Sequence, residues 1–76
     1  MAKKVNTLEL FRKKLGQSIK LQRQVKGLST YAMAELIGKP QPRIFDIENG
    51  KVKDIDTYMK CLEVLGGEVI IKWDLT

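Results

Sequence analysis

The stretch ELIGKPQPRIFDIENGK, residues 35–51, decides the fold because its two prolines fix where a helix begins. Proline is tolerated in the first turn of a helix, where its missing N–H would lack a partner in any case. It also pushes the residue before it out of the helical region. Pro40 and Pro42 therefore predict that a helix begins near Gln41 or Pro42.

The same stretch predicts where this helix ends. Asn49 and Gly50 both tolerate the left-handed conformation that often closes a helix. Between these limits, Ile44 and Ile47 are spaced to lie on one buried face. We expect a rigidly placed helix of about two turns whose other face is polar and exposed.

A longer helix is predicted near the start of the chain, over about residues 7–25. Asn6 and Glu9 have the spacing of a capping box, and Gly27 follows the last turn. Apolar residues recur at steps of three and four along one face: Leu8, Phe11, Leu15 and Ile19. This pattern predicts an amphipathic helix whose apolar face builds the core.

Two further helices complete the predicted bundle. One is capped by Ser29 or Thr30 and closed by Gly38, and the other is capped by Asp54 and closed by Gly66-Gly67. The apolar residues of the latter follow one face: Ile55, Tyr58, Met59, Leu62 and Leu65. A helix, a tight turn and a short helix with exposed polar residues form the helix-turn-helix arrangement.

Residues 67–76 change from a helical period to a period of two. The apolar residues of one face of this predicted strand are Val69, Ile71, Trp73 and Leu75. Because the chain offers no second strand, pairing with the same strand of a second subunit is the economical solution. The alternative is an extended tail that packs on its own helices.

Positive charge is concentrated in the first third of the chain. Residues 1–26 hold eight Lys or Arg against Glu9 alone, whereas residues 54–76 carry a net charge of −3. A basic first third suits a polyanion such as nucleic acid or an anionic membrane surface. Lysines that simply solvate a helix are the alternative.

Composition excludes several classes of function. The chain has one cysteine, Cys61, and no histidine, so neither an internal disulfide nor a zinc finger is expected. We predict no enzymatic activity, no metal and no cofactor, and a small buried hydrophobe as the role of Cys61. With no apolar run of about 20 residues and no secretory signal, the sequence predicts a cytoplasmic protein. Association with a membrane surface is not expected either, because the face bearing Phe11, Leu15 and Ile19 is needed to build the core.

The spacing of many positions together resembles the Xre family, the type of the lambda phage repressor. The resemblance covers about residues 15–66 and rests on Leu15, Ile19, Arg23, Gly27-Leu28-Ser29, Ala34, Ile37-Gly38, Gln41, Ile44, Ile47 and Glu48-Asn49-Gly50. It implies a mainly α fold, namely a lambda-repressor-like bundle of four to five helices. The C-terminal β-strand would then pair with its counterpart across a dimer. The expected divisions are a basic arm over 1–6, a DNA-binding domain over 7–66 and a dimerisation strand over 67–76.

The resemblance places the short helix in the major groove of DNA. Gln41 would form paired hydrogen bonds with adenine, and Arg43 would pair with guanine or contact a phosphate. Asp46 would accept from cytosine or orient Arg43. Phe45 would touch a thymine methyl, or pack against the neighbouring subunit or another protein. For Gln41 and Arg43 the alternative is a solvated helix face. Pro42 departs from the family, whose members often have a second polar base-contacting residue there.

The resemblance also implies an ion pair and a set of phosphate contacts. Arg23 would pair with Glu48, tying the first helix to the end of the third, and its guanidinium could still offer a donor to a phosphate. The other expected phosphate-contacting residues are Thr30, Lys39, Asn49, Lys51 and Lys53.

Together these features predict a sequence-specific transcriptional regulator, a repressor that binds a palindromic operator in double-stranded DNA as a homodimer. The strand after the last helix is similar to that of HipB-like antitoxins, which gives the alternative of an antitoxin that binds a protein toxin and regulates its own operon. A protein-interaction module that uses the same fold without DNA is a further alternative.

Overall fold

The computed structural model describes residues 7–70, which form a bundle of four α-helices. The helices are α1 (Thr7–Val25), α2 (Thr30–Ile37), α3 (Gln41–Glu48) and α4 (Ile55–Val64). The bounds of all four agree with the sequence predictions. The predicted Asn6 cap and the arm over 1–6 lie outside the described residues.

Local chemistry sets most of these bounds. The Ser29 hydroxyl accepts the Ala32 N–H at 3.0 Å at the start of α2, and the Asp54 carboxylate accepts the Asp56 N–H at 3.1 Å at the start of α4. Pro40 stands immediately before α3 in extended backbone, as its fixed geometry favours. Gly38, with φ of 70°, closes α2 in the left-handed conformation.

The core lies where α3 packs between α1 and α2, with α4 across α1 and α2. Its largest fully buried side chains are Tyr58, Ile19, Met33, Ile44 and Ile47. The Tyr58 hydroxyl donates to the Val52 carbonyl oxygen at 2.6 Å, so a buried polar group has a partner and the loop before α4 is held in place.

Two glycines bring the backbone of α1 against the end of α3. A Cβ on Gly16 would lie 2.4 Å from the Ile47 carbonyl oxygen, and a Cβ on Gly50 would lie 2.7 Å from the Lys13 Cα. No larger residue fits either contact without moving backbone. The two segments are therefore in direct contact, which fixes α3 relative to α1.

The predicted apolar face of α1 is only partly correct. Leu15 and Ile19 are buried, but Leu8 and Phe11 are 58% and 39% exposed. The reason is length: α1 has 19 residues and extends about 28 Å, whereas α3 has 8 residues and extends about 12 Å. The short helices do not cover the first turns of α1.

Residues 67–70 follow α4 as irregular backbone, and within residues 7–70 the structure contains no strand. The Gly67 N–H donates to the Leu62 carbonyl oxygen at 2.7 Å, and Val69 packs against the core while Ile70 is exposed. Three of the predicted dimerisation residues, Ile71, Trp73 and Leu75, lie outside the described residues. Pairing of this segment across a dimer stays a prediction.

Candidate nucleic-acid interface

Helix α3 presents a mainly polar surface because its two isoleucines face inward, although Phe45 is 50% exposed. Ile44 and Ile47 are at most 1% exposed. The predicted base-contacting residues all lie exposed on its remaining surface: Gln41, Arg43, Phe45 and Asp46. The two-turn helix therefore presents these side chains together, and its backbone is fixed by its buried face.

Gln41 is held by a hydrogen bond to the start of α2. Its Nε2 donates to the Thr30 hydroxyl oxygen at 2.8 Å. This bond uses one of the two amide N–H groups of Gln41 and leaves its second N–H and its carbonyl oxygen as a donor and acceptor pair. The bond joins a predicted base-contacting residue to a predicted phosphate-contacting residue. The bond itself was not predicted from the sequence.

Arg23 and Glu48 form the buried ion pair that the resemblance implies. Arg23 Nε and NH2 donate to the two Glu48 carboxylate oxygens at 2.6 and 3.2 Å, and Arg23 NH1 donates to the Leu28 carbonyl oxygen at 2.8 Å. The two residues are only 8% and 6% exposed. All three nitrogens of the guanidinium have internal partners, which favours a structural role for Arg23 over contact with a phosphate.

Arg43 and Asp46 lie one turn apart on the exposed surface of α3. Within the part of the chain that the structure describes, no ion pair joins them. The alternative in which Asp46 orients Arg43 is therefore not formed in this structure, and both side chains point to solvent with their polar groups available.

The loop after α3 brings further cations beside the helix. Lys51 and Lys53 are exposed there, and Asn49 Nδ2 donates to the Phe45 carbonyl oxygen at 2.9 Å, which caps the end of α3. Lys39 is half-buried in the turn between α2 and α3, next to a shallow concavity of about 400 Å³. Cations thus stand near both ends of α3.

Two cations of α1 that the sequence analysis did not single out also stand beside this loop. Arg12 and Lys13 line a surface concavity of about 350 Å³ together with Lys51 and Lys53. Their place depends on the close contact of α1 with Gly50, which the sequence pattern does not reveal. The density of Lys and Arg in the first third of the chain was the one available signal.

Two buried titratable groups within residues 7–70 have raised pKa values. Burial, and secondly the nearby Glu48 carboxylate, raises the pKa of the Cys61 thiol to about 11, so the thiol is protonated at neutral pH. Burial likewise raises the pKa of Tyr58. Among residues 7–70 no three His, Cys, Asp or Glu side chains cluster as metal ligands, and none of the described helices is long and apolar enough to cross a membrane.

Comparison with known proteins places the chain in a family. A family model described as a helix-turn-helix domain matches residues 1–73, nearly the whole chain. A search of curated proteins found no match.

Proposed function

Because the chain belongs to the helix-turn-helix domain family, we propose that it is a sequence-specific regulator of transcription that binds double-stranded DNA and represses a promoter by occupying it. The observation that carries this proposal is the surface of α3. Gln41 and Arg43 stand exposed at the start of a short helix whose other face is buried in the core. Helix α3 enters the major groove, with α2 lying across its edge.

The dimensions of α3 suit this task. With its side chains an α-helix is about 10–12 Å across, and the major groove is about 12 Å wide, so α3 fits into it. The remaining N–H and the carbonyl oxygen of Gln41 match the N7 and N6 groups of adenine. The guanidinium of Arg43 matches the O6 and N7 acceptors of guanine.

Rigid placement of α3 supports specificity, because a base contact discriminates only when the side chain is held in position. Three features hold this helix: its buried isoleucines, the bond from Gln41 to Thr30, and the ion pair between Arg23 and Glu48. Little conformational freedom is then left to lose when the helix enters the groove.

Contacts to phosphates set the register of α3 on the duplex. Thr30 stands in the first turn of α2, where backbone N–H groups favour an anion. The other phosphate-contacting residues in this proposal are Lys39, Asn49, Lys51 and Lys53, which flank the two ends of α3. Arg23 is left out of this set because it is buried and each of its three guanidinium nitrogens already donates within the fold.

The active species in this proposal is a homodimer joined through residues 67–76. At the start of this segment, Val69 packs against the core of its own chain and Ile70 is 70% exposed, so the two side chains face opposite sides. Two-fold symmetry then implies a palindromic operator. The alternative role as an antitoxin with a protein toxin partner rests on the resemblance of this same segment.

Selection of duplexes from a random-sequence pool by the purified chain tests the proposal. We expect an enriched palindrome whose half-sites lie about one helical turn apart, near 10 base pairs. A parallel selection with Gln41→Ala should lose preference at one base pair of each half-site. Weak binding with no enriched sequence from the wild-type chain would refute the proposed function.

A further inference from the structure

A basic concavity lies between the first turns of α1 and the loop that follows α3. It has a volume of about 350 Å³, and four cationic side chains line it: Arg12, Lys13, Lys51 and Lys53. One carboxylate, that of Glu9, also lines it, with its Oε1 3.5 Å from Lys13 Nζ. The local charge is therefore strongly positive.

Backbone contact holds these cations together. The Gly50 Cα lies so close to α1 that an added Cβ would stand 2.7 Å from the Lys13 Cα. Gly16, one turn further along α1, makes the equivalent contact with the end of α3. Like charges gathered at a fixed position repel one another, so this arrangement favours an anion that neutralises them.

Arg12 carries an unused hydrogen-bond donor at this place. Its Nε is buried and has no hydrogen-bond partner within residues 7–70. Buried donors in folded proteins nearly always have a partner, so an unpaired one needs an explanation, and a bound anion is one explanation. The planar guanidinium is also the side chain best matched to phosphate oxygens.

We propose that this concavity binds a phosphate of the DNA backbone, with Arg12 as the principal ligand and with Lys13, Lys51 and Lys53 around it. The proposal rests on the proposed function and extends the DNA interface from α2 and α3 to α1. Since Lys51 and Lys53 follow directly after α3, the bound phosphate lies at the edge of the groove that α3 occupies.

The test is the salt dependence of binding to the selected duplex. Each phosphate contact contributes about 0.9 to the slope of log affinity against log salt concentration. Arg12→Gln should reduce the slope by about 0.9 for each chain bound and weaken binding about fivefold near 0.15 M salt. Arg12→Lys keeps the charge and should keep the slope. Lys60→Gln removes one cation from an exposed position on α4 outside the concavity and is the matched control.

Far-UV circular dichroism and thermal unfolding establish that each variant folds. If Arg12→Gln fails to fold, the wild-type chain decides the matter, because the Arg12 Nε–H resonance should shift strongly when the duplex is added. An unshifted resonance, or a folded Arg12→Gln variant whose slope equals that of Lys60→Gln, would overturn the proposal. If the wild-type chain still binds the selected duplex, the proposed function stands and only the Arg12 phosphate site is wrong.

Inorganic phosphate distinguishes the source of the anion. At constant ionic strength and millimolar concentration, it should displace the duplex from the wild-type chain no better than sulfate does. If the concavity is instead a site for free phosphate, phosphate at these concentrations should shift the NMR resonances of Arg12 and Gly50. Arg12→Gln should then leave the salt dependence of DNA binding unchanged. That result would overturn the assignment to DNA.

Discussion

Glu48→Leu measures the cost of breaking the ion pair between α1 and the end of α3 from one side. In the wild-type chain both Glu48 oxygens accept from Arg23, at 2.6 and 3.2 Å, in a site that is almost closed to solvent. Leucine fills a similar volume but leaves the Arg23 guanidinium buried, with the Leu28 carbonyl as its remaining partner. Breaking a buried pair from one side costs about 3–5 kcal/mol.

That loss is large for a domain of this size. At about 0.05–0.15 kcal/mol per residue, a 76-residue domain has a free energy of unfolding of about 4–11 kcal/mol. Glu48→Leu should therefore remove about a quarter or more of the stability. Urea unfolding followed by circular dichroism gives the value, provided that the dependence on urea keeps its slope.

A double-mutant cycle with Arg23→Met isolates the pair itself. Arg23→Met should also be strongly destabilising, because it leaves the Glu48 carboxylate buried without a cation. The double variant Arg23→Met/Glu48→Leu leaves no buried charge and should lose much less than the sum of the two single losses. Single losses below about 1 kcal/mol, or losses that simply add, would refute the reasoning, since exposed pairs behave in that way.

Three more predictions follow from other parts of the molecule. Gly16→Ala places a Cβ 2.4 Å from the Ile47 carbonyl oxygen and should lower the free energy of unfolding by at least about 2 kcal/mol, measured by urea unfolding. Gly67→Ala is the control, because its Cβ would meet its nearest atom at 3.6 Å and should cost less. Burial raises the pKa of Cys61 from 9.0 to about 11, so the folded state favours the protonated thiol. The stability that results is fully present below pH 9 and is lost as the pH rises toward 11. Cys61→Ala should remove about 2–3 kcal/mol of that alkaline loss, and equal alkaline losses in the two proteins would contradict the assignment. Deletion of residues 67–76 should give a monomer that binds the selected duplex poorly, and a truncated chain that still sediments as a dimer would show that this segment does not join the subunits.

The helices were predictable because their limits depend on nearby residues. Pro40 and Pro42 fix the start of α3, and Gly38 closes α2 in the left-handed conformation that the sequence pattern indicated. The ion pair between Arg23 and Glu48 was also expected, although from a resemblance rather than from chemistry at either position.

Features that depend on how helices cross were not predictable. The bond from Gln41 to Thr30 joins residues 11 positions apart, and it forms because the turn between α2 and α3 brings the starts of the two helices together. The position of Arg12 beside Lys53 requires the close contact at Gly50, which no periodic pattern encodes. The exposure of Leu8 and Phe11 likewise reflects the lengths of the other helices.

The central claim is that α3 contacts bases in a sequence-specific way, and the ratio of affinities for the selected duplex and a random duplex tests it most directly. Arg43→Ala should weaken binding to the selected duplex by about 1–3 kcal/mol and leave binding to random DNA almost unchanged, so the ratio falls. Lys51→Ala, in the loop after α3, should weaken both to a similar extent and preserve the ratio. If Arg43→Ala also preserves the ratio, Arg43 contacts no base, and the account of α3 as the specificity-determining helix is contradicted.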